Sequence, residues 1–231
     1  MKSLRILSGG AAQGLVEALR PAFEAATGCT IAGTFGAVGA MRARLLAGEP
    51  ADLVILTRAL IDGLAKDGHV EAGSAADLGT VETAVAVRRS DTPPAVGDAD
   101  ALRVALLESD EIHFPDPEQA TAGIHFARVL RALGIWDVVA SRLKTAPNGA
   151  TAMRALAAST GRRPIGCTQA TEILSTQGIV LVAPLPPTCA LATIYTAAAT
   201  TKAESPVEAA RLMAMLTAAD GRENRRRLGF V

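Results

Sequence analysis

Five short turns of small residues stand directly before helical segments, and their residue types suit the binding of an anion. They lie near Gly10, Gly39, Ala122, Gly149 and Thr168. The first N–H groups of a helix have no intrahelical partner and lie at the positive end of the helix dipole. Small residues let an anion approach these groups closely. The sequence therefore predicts an anion site built mainly from backbone N–H groups.

Neutral side chains and further backbone N–H groups beside these turns offer additional hydrogen-bond donors. The residues concerned are Ser8, Gly9, Gly10, Gly39, Thr121, Asn148, Gly149, Thr168 and Gln169. Each has a structural interpretation as well, because Ser8, Thr121 and Asn148 could cap helices and the glycines could serve only the turns. We predict that the set binds a ligand, because such turns meet at the carboxyl ends of parallel strands.

The spacing of reactive residues matches no catalytic motif. The turn Ser8-Gly9-Gly10 is followed neither by a dinucleotide-binding fingerprint nor by a P-loop lysine. Proton transfer on a bound carboxylate would need only one or two groups, such as Asp116, His125 or Glu172. His125 is also readily explained as a packed histidine bonded to backbone. We therefore expect no catalytic residues, and an enzyme stays open as an alternative.

The composition limits the partners that the protein can have. The chain has 231 residues with 23 basic and 23 acidic side chains, so no overall charge attracts it to nucleic acid or to an anionic membrane. Only 3% of the residues are aromatic, which disfavours a surface that stacks bases or sugars. A small anionic ligand is the expected partner.

The cysteines and the apolar segments exclude several other classes. Cys29, Cys167 and Cys189 are far apart and form no Cys-x-x-Cys motif, so neither a disulfide framework, a metal site nor a cofactor is expected. No apolar run is long enough for insertion into a membrane. The first strand should begin near Leu4, which leaves no room for a signal peptide. We expect a periplasmic protein if a leader has been removed, and a cytoplasmic one if Met1 is the native start.

Strands and helices alternate along the chain. Strands are predicted at Leu4–Leu7, Thr30–Phe35, Leu53–Leu56, Val81–Arg88, Glu111–Phe114, Pro164–Cys167, Ile179–Val182 and Leu191–Ala198. The segments between them have helical periodicity and often end at a glycine, and two more helices follow the last strand. This pattern predicts an α/β fold whose sheets are mostly parallel and flanked by helices.

The two halves of the chain repeat this pattern without repeating its sequence. We predict two lobes, with lobe I formed by residues 1-85 plus 192-231 and lobe II by residues 86-191. The strands near residues 83–88 and 191–196 are the expected crossovers between the lobes. The ligand is then expected to bind in a cleft between them, with closure by a hinge motion.

Two segments resemble the periplasmic molybdate-binding proteins, which belong to the type II solute-binding proteins of ABC transporters. Leu45-Leu46-Ala47-Gly48-Glu49-Pro50-Ala51-Asp52-Leu53 is similar to the run Gly-x-Pro-Ala-Asp-hydrophobic of that family. Ala122-Gly123-Ile124-His125, followed by Leu133-Gly134 and Trp136, is similar to its Pro-Ala-Gly-Ile-Tyr helix. The resemblance covers nearly the whole chain and implies the type II periplasmic-binding-protein fold.

The resemblance also implies where ligand contacts should lie. The two serines of the family align with Ala11 and Val38, and its tyrosine aligns with Cys167. Its two backbone N–H contacts align with Ala122 and Gly149. Because the three hydroxyl groups are missing, a ligand other than molybdate is implied, such as an organic carboxylate or an altered oxyanion.

Three hypotheses follow. The first is a solute-binding protein that captures a small anion and delivers it to an ABC permease. The second is a cytoplasmic sensor on the same scaffold. The third is an isomerase of a small polycarboxylate, of the aconitate type, which turnover of such acids would distinguish from binding alone.

Overall fold

The computed structural model of the protein describes residues 2–231, with a continuous alternation of strands and helices. The strands are β1 Ser3–Gly9, β2 Thr30–Gly36, β3 Leu53–Thr57, β4 Ala76–Arg88, β5 Glu111–Pro115, β6 Leu143–Ala146, β7 Pro164–Gln169, β8 Ile179–Pro184 and β9 Ala192–Ala199. The helices are α1 Gln13–Thr27, α2 Val38–Leu46, α3 Arg58–Lys66, α4 Ala99–Glu108, α5 Thr121–Ala132, α6 Trp136–Val139, α7 Gly149–Ala158, α8 Ala170–Leu174, α9 Pro206–Thr217 and α10 Arg222–Arg227.

The chain divides into two compact units, and the first contains the residues up to Val81 together with Thr193–Val231. In this unit β1 pairs in parallel with β2 and β3, while β9 runs antiparallel to β3. Gly9 and Gly36 are register partners at the ends of β1 and β2. Both strands therefore end at the same edge of the sheet, where α2 begins.

Asp52 joins three segments of the first unit. Its carboxylate is fully buried and accepts hydrogen bonds from the N–H groups of Arg5 at 2.8 Å, Glu204 at 2.7 Å and Ser205 at 2.9 Å. The guanidinium of Arg5 lies 3.5 Å from the same carboxylate. The aspartate of the Gly-x-Pro-Ala-Asp run is thus a structural anchor for β1 and for the start of α9.

The second unit contains residues Glu82–Ala192. Strand β5 pairs in parallel with β6 and β7, and β4 runs antiparallel to both β7 and β8. The rings of Phe114 on β5 and Phe126 on α5 meet edge to face, with 5.4 Å between their centroids. These rings lie in a continuous apolar core between α5 and the sheet.

Helices α5 and α7 pack on opposite faces of this sheet. Ile165 and Cys167 of β7 lie in the core with Phe126 of α5. Gly166 between them faces α7, because a Cβ there would lie 2.7 Å from the side chain of Met153. Since successive side chains of a strand point to opposite faces, the odd-numbered residues of β7 face α5 and the even-numbered residues face α7.

The predicted α/β fold with flanking helices is confirmed. The first unit is mostly parallel as predicted, but in the second unit β4 runs antiparallel to both β7 and β8. Strand β6 was not predicted, because its side chains are half-buried or exposed and carry no apolar alternation. It forms by pairing with β5. Strand β4 begins at Ala76, five residues before its predicted start at Val81, since its first part is polar and contains Gly79 at a φ of 141°.

Candidate functional site

Two of the predicted turns come together in the first unit. A short turn of 3-10 helix, Gly10–Ala12, follows β1, and α2 begins at Val38 just after β2. A Cβ at Gly9 would lie only 2.7 Å from Cγ1 of Val38, so the two turns are in direct contact. The first helical hydrogen bond of α2 joins Met41 N–H to Ala37 O at 3.0 Å. The N–H groups at the start of α2, including that of Gly39, lie before this bond and therefore have no partner within the helix.

The side chains at this edge are small or engaged with the backbone. Ser8 is fully buried, and its hydroxyl donates to the carbonyl of Gly9 at 2.9 Å. Ala11 and Val38 are buried and have no hydroxyl. Sequence reasoning missed the ring of Tyr195, whose Cε1 would lie 3.2 Å from a Cβ at Gly9. Tyr195 is the single tyrosine of the chain, and this was the one feature of the sequence that could have drawn attention to it.

In the second unit, the first turn of α5 lies against the end of β5. A Cβ at Gly123 would lie 2.1 Å from the carbonyl oxygen of Asp116 and 2.3 Å from that of Pro115, so only glycine fits. The first helical hydrogen bond joins Ile124 N–H to the carbonyl of Ala120 at 2.8 Å. The N–H groups of the partly buried Thr121 and the buried Ala122 lie before this bond, so they have no partner within the helix.

The start of α7 is filled by a carboxylate of the protein itself. Glu172 accepts a hydrogen bond from the Thr168 hydroxyl at 2.5 Å, and the nearby N–H groups of Gln169, Ala150 and Gly149 act to lower the pKa of its carboxyl group. A Cβ at Gly149 would lie 1.8 Å from Oε2 of Glu172, so glycine is required for this contact. The N–H of Gly149, predicted to contact a ligand, therefore faces a carboxyl group of the protein itself.

Two further observations describe this helix end. Burial raises the pKa of Glu172, although the hydrogen bonds from Thr168 and from the backbone act in the opposite direction. Asn148 is an N-cap, with its Oδ1 accepting from the N–H of Thr151 at 2.9 Å. The side chain of Asn148 therefore caps α7, which is the structural role considered for it in the sequence analysis.

Several buried polar atoms have no hydrogen-bond partner within the described part of the chain. They belong to Thr83, His113, Gln169, Thr171, Thr193 and Glu208. Gln169 is 2% exposed, and neither Nε2 nor Oε1 of its amide has a partner. Buried polar groups are normally paired, so the amide of Gln169 is a candidate for contact with a ligand.

Comparison with known proteins identifies the family. Residues 4–231 match the family described as bacterial extracellular solute-binding protein. The chain belongs to this family. Among curated relatives of this solute-binding protein, an aconitate isomerase from a Pseudomonas species is 28% identical over 227 residues, which cover 94% of this chain and 83% of the relative. The molybdate-binding protein ModA of Escherichia coli is 24% identical over 71% of this chain and 64% of ModA.

Solved structures support the same fold for this solute-binding protein. The periplasmic molybdate-binding protein of Azotobacter vinelandii superposes with a TM-score of 0.81 at 18% identity, covering 99% of this chain and 98% of that protein. The sulfate-binding protein SubI of Mycobacterium tuberculosis superposes with a TM-score of 0.77 at 19% identity, covering 100% and 86%. The resemblance to molybdate-binding proteins inferred from the sequence is confirmed.

One position carried over from these proteins is corrected by the structure of this family member. Cys167, which aligns with the tyrosine of the molybdate-binding proteins, is 1% exposed and lies in the apolar core with Val85 and Phe126. Burial raises the pKa of its thiol well above the ordinary value. Its side chain therefore packs in the apolar core of the second unit. The residue two positions later, Gln169, has the unpartnered polar side chain.

The groups considered for proton transfer in this solute-binding protein are all engaged by the backbone. His125 Nε2 lies 2.8 Å from the carbonyl oxygen of Cys189. Oδ1 of Asp116 accepts from the N–H groups of Glu118 and Gln119. Glu172 accepts a hydrogen bond from the Thr168 hydroxyl.

The remaining charged groups form neither a free basic site at Arg58 nor, within the described residues, a metal site. Arg58 forms an ion pair with Asp77. Among residues 2–231 no group of three or more His, Cys, Asp and Glu side chains is arranged to hold a metal ion. In the same range no helix has both the length and the apolar character to cross a membrane.

Proposed function

We propose that this solute-binding protein captures a small anion with main-chain N–H groups and neutral side chains and delivers it to an ABC permease. The observation that carries the proposal is the start of α2 and α5. Both helices begin at the ends of parallel strands, and neither has an acidic residue in its first turn. Their N–H groups and helix dipoles favour an anion. We place this function in the periplasm, after removal of a leader.

The ligand we propose is an organic carboxylate or an oxyanion other than molybdate. ModA and SubI are named for binding molybdate and sulfate, so an anionic ligand suits this family member. The resemblance to the molybdate-binding proteins aligns Ala11, Val38 and Cys167 with the three hydroxyl contacts of that family, and none of these residues has a hydroxyl group. A tetrahedral dianion would lose these donors, whereas a carboxylate can be held by fewer.

A thermal-shift screen with oxyanions and organic acids tests this function. A ligand present at about 100 times its Kd adds about 2.7 kcal/mol to the free energy of unfolding, which shifts Tm by several degrees. We expect at least one organic acid to stabilise the protein, and molybdate to bind no better than millimolar in calorimetry. If no anion stabilises the protein, the proposed function is wrong.

A proline substitution tests the role of the α5 N–H groups. Thr121 is the first residue of α5, and Ala120 before it is extended at a φ of −97° and a ψ of 130°, so Thr121→Pro is compatible with the backbone. We expect roughly tenfold weaker binding than in Thr121→Ala, because only the proline removes the N–H donor. Ala99→Pro is the matched control, since Ala99 begins α4 after the extended Asp98.

A second candidate function is isomerisation of a small polycarboxylate. It is favoured by the aconitate isomerase that is 28% identical over 94% of this chain. Incubation with cis- and trans-aconitate, followed by proton NMR, distinguishes the two functions. Saturable binding without conversion would exclude this isomerase activity, whereas catalytic turnover would overturn the assignment as a binding protein alone.

A further inference from the structure

Gln169 offers both a donor and an acceptor to a ligand. Its side chain is 2% exposed, and both its amide nitrogen and its amide oxygen lack a hydrogen-bond partner among the described residues. Exchange of the two atoms by a flip of the amide leaves this conclusion unchanged, because neither position is bonded. The amide nitrogen of Gln169 therefore lacks a hydrogen-bond acceptor, and its amide oxygen lacks a hydrogen-bond donor.

Thr83 lies directly beside Gln169 in the sheet. The two residues are register partners in the antiparallel pair of β4 and β7, so their side chains share one face. Thr83 is 1% exposed, and its hydroxyl also has no partner within residues 2–231. Val85 and Cys167, the next pair on this face, lie in the core beneath α5. The pair Thr83 and Gln169 thus faces the same side as α5.

The first turn of α5 begins at the same edge. Strands β5 and β7 are parallel, so they end on one side of the sheet. The close fit of Gly123 against Pro115 and Asp116 places the first turn of α5 at the end of β5. The N–H groups of α5 and the buried pair therefore lie on one face and one edge of the second unit.

The backbone at Gln169 is held from the opposite face. Its N–H faces the carboxyl group of Glu172, as do the N–H groups of Gly149 and Ala150. These contacts fix the end of β7 to the start of α7. We regard Glu172 as a positioning residue, because it acts through the backbone of Gln169.

We propose that Thr83, Gln169 and the first N–H groups of α5 recognise a small hydroxycarboxylate. This inference rests on the proposed function and names its ligand class. A carboxylate accepts hydrogen bonds from the α5 N–H groups and from Nε2 of Gln169, but it has no hydrogen to donate. The amide oxygen of Gln169 needs a donor, which a hydroxyl on the ligand supplies. A fully deprotonated oxyanion leaves that oxygen buried and unpaired.

Matched pairs of acids test the role of the hydroxyl group. Malate with succinate, and citrate with tricarballylate, differ by one hydroxyl at equal carboxylate number. We expect at least one hydroxy acid to bind the wild-type protein roughly tenfold to a hundredfold tighter than its partner in calorimetry, because the partner leaves a buried acceptor unpaired.

Two variants connect this preference to the buried pair. Gln169→Leu and Thr83→Val keep the approximate volume and remove the polar atoms, so we expect each to reduce the preference for the hydroxyl severalfold. The Tm of the ligand-free protein should stay equal or rise, since each substitution removes buried polar atoms that have no partner. Gln177→Leu is the control, because Gln177 is an exposed residue of the same unit.

The outcomes separate this inference from the proposed function. If acids bind but both members of each pair bind equally, the hydroxyl recognition is wrong and the anion-binding function stands. If the preference persists in both variants, the assignment to Thr83 and Gln169 is wrong. A loss of Tm in the ligand-free variants would show that the two side chains serve the fold. If no acid or oxyanion binds, the proposed function fails.

Discussion

At the scale of single residues, two buried carboxylates have opposite pKa shifts. Burial alone raises the pKa of Asp52, but hydrogen bonds from the N–H groups of Arg5, Ser205 and Glu204 bring it below its ordinary value. Glu172 also accepts hydrogen bonds, yet burial outweighs them and its pKa is raised. Asp52 therefore stabilises the fold as an anion, whereas Glu172 favours its protonated form relative to the unfolded chain.

We expect Asp52→Asn to lower the free energy of unfolding by about 2 kcal/mol at neutral pH, because it disrupts three buried hydrogen bonds and a charge pair. Because folding lowers the pKa of Asp52, its carboxylate stabilises the fold at pH values above its ordinary pKa. This stabilisation is lost as the pH falls through the pKa that Asp52 has in the folded protein. The difference from wild type should therefore shrink between about pH 4 and pH 2. Urea unfolding across pH checks this, with the exposed Asp67→Asn as control. A difference that does not vary with pH would contradict it.

Glu172→Ala should create a binding site for a small anion at the start of α7. The substitution leaves the N–H groups of Gly149, Ala150 and Gln169 without their acceptor, so formate should raise the Tm of the variant more than that of wild type. Exposed Glu118→Ala is the control. Equal formate shifts in all three proteins would overturn the assignment of Glu172 as an internal anion.

The raised pKa of Glu172 sets the sign of a second effect. Protonated Glu172 contributes its full stabilisation of the fold at pH values below its ordinary pKa. This contribution is lost as the pH rises through the pKa that Glu172 has in the folded protein. The stability difference between wild type and Glu172→Ala should therefore be larger near about pH 5 than near about pH 8. Denaturant unfolding at the two pH values measures it, and the opposite trend would mean that Glu172 is held as a carboxylate.

At the scale of elements, glycine decides how closely a helix can approach a strand end. Gly123 brings the first turn of α5 onto the carbonyl groups that end β5, and Gly149 brings α7 onto the carboxylate of Glu172. Neither glycine has the positive φ that would require its conformation. Both positions require glycine because neighbouring atoms occupy the place that a Cβ would take. This close approach determines where the N–H groups of the helix lie.

Gly123→Ala should destabilise the protein by about 3 kcal/mol, because its Cβ would lie 2.1 and 2.3 Å from two backbone oxygens. The matched control is Gly63→Ala in α3, where nothing lies within 4 Å of an added Cβ. That control should gain roughly 0.5–1 kcal/mol, as alanine is the better helix former. Denaturant unfolding compares the two, and equal effects would contradict the close approach at Gly123.

At the scale of the whole molecule, each compact unit carries its own buried thiols. Cys29 is 1% exposed in the first unit, and Cys167 is 1% exposed in the second. Burial raises the pKa of both thiols, so they react with a disulfide reagent only when their unit opens. Their rates of labelling therefore report the opening of each unit separately.

We expect a bound ligand to slow the labelling of Cys167, because Thr83, Gln169 and the first N–H groups of α5 all belong to the second unit. Labelling followed by peptide mass spectrometry gives the two rates, and a related acid that does not bind is the control. Unchanged labelling of Cys167 in the presence of a saturating ligand would contradict this expectation.

The apolar alternation of the chain was enough to predict most of the strands. Buried strands such as β3 and helices that end at a glycine, such as α1 at Gly28, leave patterns that local physics explains. Strand β6 left none, because its side chains are half-buried or exposed and it is held by its pairing with β5. The small-residue turns were also recognisable, since a helix start needs only nearby residues.

The sequence by itself determined the α/β class, the family and the small-residue turns at which helices begin, because these depend on neighbours in the chain. Only the tertiary structure decided which polar groups remain available. It paired Gly149 with Glu172, placed Cys167 in the core, and left Gln169 beside Thr83 without partners. The physical reason is that hydrogen bonds between distant segments depend on strand register and burial, which no local pattern of residues encodes.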